Sequence, residues 1–340
     1  MKIHIPTKRK VGRPKQAEQE QYHQELLQFC EDMLLIQSTL DFKISSRGWC
    51  YMLEEHGLLK SEFDKAQKLI NECRKSGLLP LDICAEDSAR TFTGVEQVDD
   101  TTPEEEAGSW INFLLEDVHK RYNAFSFWQD QEYYIQMLVE KIDLVNLFLP
   151  ICKKYRIPIA NTKGWADISQ RADMMKRFMK WESEGKTPVL LYCGDHDPAG
   201  LIINYFLPNN IEDLSRAVGW APTNLIVDRF GLNYDFIEEN GLTWIDNLMT
   251  GSGKDLASPK HSDHSKPYVQ KYISRYGPRK CEANALVVRS EAGRKLCHDS
   301  INKYISDQAP GLFDEDMRIE RLEVKGEIDS QLTEMYRGVA

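Results

Sequence analysis

From about residue 110 onward, two kinds of apolar pattern take turns along the chain. "EYYIQMLVE" (132–140), "IPIANT" (157–162), "TPVLLYC" (187–193) and "NLIVDRF" (224–230) are short, dense apolar runs. Between them, "IDLVNLFLPICKKY" (142–155) and "ISQRADMMKRFMKW" (168–181) space their apolar residues three and four apart. The first kind predicts buried strands, the second amphipathic helices. Strands alternating with helices predict an α/β fold with a mainly parallel, doubly wound sheet. In such sheets, chemistry collects at the carboxyl ends of the strands.

Before residue 110 the texture is helical. "ELLQFCEDMLL" and "EFDKAQKLINECRKSGLL" carry helical spacing, and Gly77 is placed to stop the second helix. Short helices followed by "LLPLDIC" suit a winged-helix-like DNA-binding module over residues 19–92. Residues 1–15 hold Lys2, Lys8, Arg9, Lys10, Arg13 and Lys15 without an acid. The first 18 residues therefore read as a disordered basic tail that binds phosphate without sequence preference. "GVEQVDDTTPEEEAGS" (94–109) reads as an exposed acidic linker. This sets off residues 93–109 and leaves 110–340 as the second domain.

The net charge of −10 argues at first against a nucleic-acid partner. Charge is segregated, however, with bases in the tail and acids in the linker, so the total is a poor guide. No apolar run reaches transmembrane length, and the basic N-terminus has no apolar signal core, so a cytoplasmic location is expected. Eight scattered cysteines without a C-x-x-C pair read as buried free thiols in a reducing compartment.

The candidate chemistry sits at strand ends. "LLYCGDHDPAGLI" (190–202) sets Asp195 and Asp197 directly after an apolar run, and Glu140 closes the first such run. Two carboxylates about 5 Å apart repel by a few kcal/mol unless something positive lies between them. A lysine, a proton or a divalent metal would answer. Mg²⁺ takes carboxylate oxygens together with water and phosphate, and three strand-end acids suit it. Pro198 and Gly200 fit a sharp exit from the strand. His196 alternates to the opposite face of the extended segment, so it is expected behind the site at most.

Glu140 followed by Asp195-His196-Asp197-Pro198-x-Gly200 resembles the Toprim domain, a Rossmann-like fold. More narrowly, it is similar to the version in the A subunit of topoisomerase VI and the related meiotic double-strand-break enzymes. "VEK" (139–141), "KGWADISQR" (163–171) and "CEANAL" (281–286) resemble further elements of that family, over roughly residues 110–290. Ala166 and Gln170 depart from it. The resemblance implies Mg²⁺ (or Mn²⁺) on Glu140, Asp195 and Asp197; Glu140 is also expected to act as a general acid, its pKa raised by the neighbouring acids. The resemblance also implies Lys141, Lys163 and Arg171 on phosphate, and places Glu282 and Asp167 near the site. Lys260, in the loop "KHSDHSK", is a further phosphate contact by charge alone.

The family's second signature is an arginine four residues before a tyrosine that attacks the DNA backbone. "SSRGWCYML" (45–53) supplies Arg47 and Tyr51 on one helix face. Gly48 and Cys50 depart from that pattern, and a core tyrosine among Trp49, Met52 and Leu53 is the competing reading. The resemblance further implies double-stranded DNA as substrate, a homodimer and a separate GHKL-type ATPase subunit. The leading expectation is tyrosine transesterification by Tyr51; the alternatives are a water-using Toprim nuclease, in phage defence or on a mobile element, and a DNA-binding protein with an inactive Toprim fold.

Overall fold

The computed structural model describes residues 2–6, 16–85, 96, 98–162, 168–250 and 253–339. Three helices, α1 (Gln16–Gln37), α2 (Ser46–Glu54) and α3 (Phe63–Lys75), form the N-terminal module. Helix α4 (Pro103–Glu116) follows, and then the sheet region begins: β1 (Tyr133–Val139), α5 (Ile142–Lys154), β2 (Ile159–Asn161), α6 (Ile168–Ser183) and β3 (Thr187–Cys193). It continues with α7 (Ile203–Glu212), α8 (Ser215–Val218), β4 (Ile226–Gly231) and α9 (Tyr234–Glu239). Helices α10 (Pro267–Tyr276), α11 (Ser290–Ile301) and α12 (Ala309–Val339) complete the chain. Among the described residues, no helix is long and apolar enough to cross a membrane.

The four strands form one sheet in the order β2-β1-β3-β4, and every pairing is parallel. The expected α/β architecture is therefore present. Strands β1 and β3 are buried along nearly their whole length, which is why they read as unbroken apolar runs. Their side chains alternate between two helical layers. Met137 meets Cys152 on α5, whereas Gln136 bonds to Met174 and Arg177 on α6. From β1 the chain passes through α5 to β2, and from β3 through α7 to β4, so it leaves the two central strands in opposite directions across the sheet. Their carboxyl ends are thus the topological switch point, where such sheets open a crevice.

One hydrophobic core runs through both halves, from Ile3 and Phe29 to Ile305. Ile3 is buried and donates its N–H to the His56 carbonyl at 2.9 Å, so the start of the chain is not the free tail expected over residues 1–18. Residues 7–15, with most of the basic cluster, lie outside the described residues. The expected linker is also revised, because α4 starts inside it at Pro103. Thr102 caps that helix in a reciprocal box with Glu105, Pro103 takes its first position, and Glu104–Glu106 favour its positive end. Among the described residues no strand precedes Tyr133, so the module shows helices without a wing. All eight cysteines are buried and free, as their scatter suggested.

Candidate functional site

Val139 pairs with Cys193 on the last rung between β1 and β3, so Glu140 and Gly194 stand just past the sheet edge. The Glu140 N–H is held by the Cys193 carbonyl at 3.0 Å, and the Gly194 N–H by Gly231 at 2.9 Å. The side chains then lock to each other. Glu140 Oε2 accepts the Asp195 N–H at 2.8 Å, and Asp195 Oδ1 accepts the Ala283 N–H at 2.8 Å. Asp197 Oδ1 accepts the Gly200 N–H at 2.6 Å, closing the turn out of the strand. Two glycines make this possible. A Cβ on Gly200 would run into the Asp195 carbonyl, and one on Gly194 would meet the Tyr192 hydroxyl and Glu140 Oε2.

The positive group among these acids is Lys141. Its Nζ stands 3.0 Å from Glu140 Oε1 and 3.0 Å from Asp195 Oδ2. Burial disfavours charge on both partners, but the two carboxylates hold the ammonium above its ordinary pKa. Glu140, expected to be raised for general-acid work, instead lies below the usual carboxylate range: burial opposes this, and Lys141 with the Asp195 N–H outweighs it. Asp195 is pushed up to about 7, by burial first and by Glu140 and Asp197 after Lys141's opposing pull. Burial also raises Asp197. Among the described residues, no three His, Cys, Asp or Glu side chains are already grouped as a metal cage. The donors suit a hard cation, but Lys141 occupies the side that Glu140 and Asp195 share.

A cavity of about 1220 Å³ opens between the helical module and this sheet edge. Glu140, Asp195 and Asp197 border it together with Lys141, and Arg47, Lys60, Lys280 and Glu282 border it as well. The segment after Lys280 organises the junction. Cys281 forms an antiparallel bridge with His196, Ala283 binds Asp195, and Asn284 donates to Asp143. Asp143 is fully buried and also takes the backbone N–H and the hydroxyl of Ser45, the residue that caps α2. Gly48 is required there, because a Cβ would lie 2.8 Å from Asp143 Oδ2. That accounts for one departure from the resembled pattern.

Tyr51 is 1% exposed. Its hydroxyl donates to Glu282 Oε2 at 3.0 Å, and its ring packs edge-on against Phe63. Burial and Glu282 hold the phenol far above its usual pKa, against the pull of Arg47. Arg47 clasps Glu282 through two nitrogens, at 3.0 and 3.4 Å. Arg47, Tyr51 and Glu282 therefore form one cluster, with Arg47 and Glu282 on the cavity and Tyr51 behind them.

The remaining expected residues separate. His196 is fully buried behind the acids, boxed by Trp244, Tyr272 and Tyr276, with Nδ1 2.9 Å from the Tyr272 hydroxyl. It faces away from the cavity, as strand alternation implied. Arg171 is not a cavity residue: its guanidinium donates to the Asn210 carbonyl near the end of α7, where a cation suits the helix dipole. Lys260 is exposed on its loop and does not border the cavity. Lys163 and Asp167 lie outside the described residues. Sequence reasoning missed Asp143, Asn284, Lys60 and Lys280. A lone acid at the start of an apolar helix, as in "KIDLV", was the available signal for Asp143. No family model matches the chain, and no curated protein matches it.

Proposed function

We propose that this protein is a divalent-metal-dependent enzyme that breaks DNA strands, similar in its acidic residues to the Toprim domain of the topoisomerase VI A subunit. The observation that carries the reading is that Glu140, Asp195 and Asp197 border one cavity at the switch point of a parallel sheet, together with four cationic side chains. Acids alone would repel a phosphodiester. Arg47, Lys60 and Lys280 supply the attraction from the neighbouring walls.

In this reading Glu140, Asp195 and Asp197 hold Mg²⁺ or Mn²⁺, which when bound supplies charge neutralisation at the phosphate and the departing oxygen. The residues' own contributions are binding and orientation. Lys141 lies beside the acids, within reach of a phosphate that docks there. Glu282, steadied by Arg47, sets the wall opposite.

The attacking group in this proposal is water. The burial of Tyr51 and its protonated hydroxyl, bonded inward to Glu282, support that choice over direct attack by the phenol. Tyrosine transesterification stays as a second reading for one reason: the phenol already touches a carboxylate placed to take its proton. The homodimer and the separate ATPase subunit belong to that second reading, since strand passage needs them and hydrolysis does not.

Plasmid incubated with Mg²⁺ or Mn²⁺, then denatured with and without protease, tests this. Free ends that require all three acids support the hydrolytic reading. Protein-linked ends select the tyrosine. Plasmid left intact under every metal condition sinks both and leaves a DNA-binding protein.

A further inference from the structure

The acids meet at the switch point, yet the charge among them is already matched by the chain's own ammonium. Lys141 Nζ is equidistant, at 3.0 Å, from Glu140 Oε1 and Asp195 Oδ2. The remaining oxygens of that pair are taken by backbone N–H groups, from Asp195 to Glu140 and from Ala283 to Asp195. The free protein therefore has no uncompensated carboxylate pair waiting for a metal ion. An ion and the ammonium cannot both lie between Glu140 and Asp195, because two cations at contact distance repel as strongly as the acids attract. We propose that Lys141 is the resident cation of the site, and that a divalent ion enters fully only when the ammonium has been drawn away by a DNA phosphate in the cavity.

This inference rests on the metal-dependent reading above and adds an order to it. Lys141 is a positioning residue with two alternative sets of partners, the acids in the free protein and a phosphate in the complex. Its reach allows this: the side chain is about a quarter exposed and borders the cavity, so its ammonium needs only a change of rotamer to leave the acids. Metal and DNA then bind with positive cooperativity, and linkage makes the effect reciprocal. Neither ligand has to touch the other, because both favour the same arrangement of one lysine, with its ammonium off the acids. Lys295 is the natural control. It is exposed on α11, paired with Asp299, and does not border the cavity.

The test measures Mn²⁺ binding by the loss of the free-ion electron paramagnetic resonance signal. The wild-type chain, Lys141→Met and Lys295→Met are compared, with and without a short duplex oligonucleotide carrying cleavage-resistant phosphorothioate linkages. Without DNA, Lys141→Met is expected to bind Mn²⁺ more tightly than the wild type by on the order of tenfold to a hundredfold. Lys295→Met should not change it. Adding the duplex should tighten Mn²⁺ binding to the wild type and leave Lys141→Met almost unmoved. Equal Mn²⁺ affinity in wild type and Lys141→Met without DNA overturns the displacement idea and leaves the metal reading standing. No Mn²⁺ binding by any form, even with the duplex, overturns the metal reading itself. A rise in the thermal midpoint of Lys141→Met on adding Mn²⁺ shows that this variant is folded, and Lys141→Arg should restore the wild-type pattern.

Discussion

The Tyr51 hydroxyl and Glu282 Oε2 lie 3.0 Å apart, and the same oxygen takes Arg47 Nε at 3.0 Å. One buried carboxylate thus holds both residues that sequence resemblance marks as the nucleophile and its helper. Removing the phenolic oxygen leaves Glu282 still paired with Arg47. Tyr51→Phe is accordingly expected to fold, to lose about 1 kcal/mol in urea unfolding, and to cleave DNA with free ends. A fall in cleavage of several orders of magnitude would instead assign the attack to Tyr51.

The Arg47–Glu282 pair also sets a pH dependence. Burial alone would raise the Glu282 carboxyl, but Arg47 outweighs it and holds the group below its ordinary value. A carboxyl with a lowered folded pKa stabilises fully above the unfolded value of about 4.3 and loses that contribution as pH falls through the folded value. The thermal midpoint should therefore drop between about pH 5 and pH 3 in the wild type. Arg47→Met should be less stable at neutral pH and should lose this acid-side fall. Parallel curves for the two proteins would show that the pair contributes nothing.

Asp143 accepts from the Ser45 backbone, the Ser45 hydroxyl and Asn284 while fully buried. Asp143→Ala strands three donors where water does not reach. The expected cost is about 3 kcal/mol or more in urea unfolding, against a much smaller loss for Asp143→Asn, which keeps one acceptor. Equal losses for the two variants would mean that side-chain volume rather than hydrogen bonding matters there.

Gly200 is fixed by the backbone beneath it, since a Cβ would collide with the Asp195 carbonyl. Gly200→Ala must push the turn apart and carry Asp197 with it. Expected outcomes are about 2 kcal/mol of lost stability and weakened Mn²⁺ binding together. Unchanged Mn²⁺ affinity in a destabilised Gly200→Ala would show that the turn does not position the acid.

The sheet was legible because a strand buried on both faces has to be apolar without a break, and β1 and β3 are such strands. That Glu140, Asp195 and Asp197 border one cavity at the sheet edge followed from strand ends and alternation alone. What lies among the acids did not, because residue type cannot say whether a carboxylate's partner is a metal ion or the lysine beside it in the chain. Helix α4 was misread for a related reason. "TTPEEE" is acidic enough to look solvated, yet Thr102, Pro103 and Glu105 spell a helix start. Tyr51 shows a different gap, since the motif fixed its helix face but not its depth in the core.

Ser45, Asp143 and Asn284 fasten the cap of α2 to the segment that carries Glu282, and the core beneath them is continuous. Among the described residues, the two jaws of the cavity are therefore fastened directly to each other. Whatever enters must supply the deformation itself. On the proposed function, such a slot would gauge pliancy: duplexes with easily kinked pyrimidine–purine steps should be cut faster than stiff A-tracts of equal length. Equal rates across that series would show that the jaws do part after all.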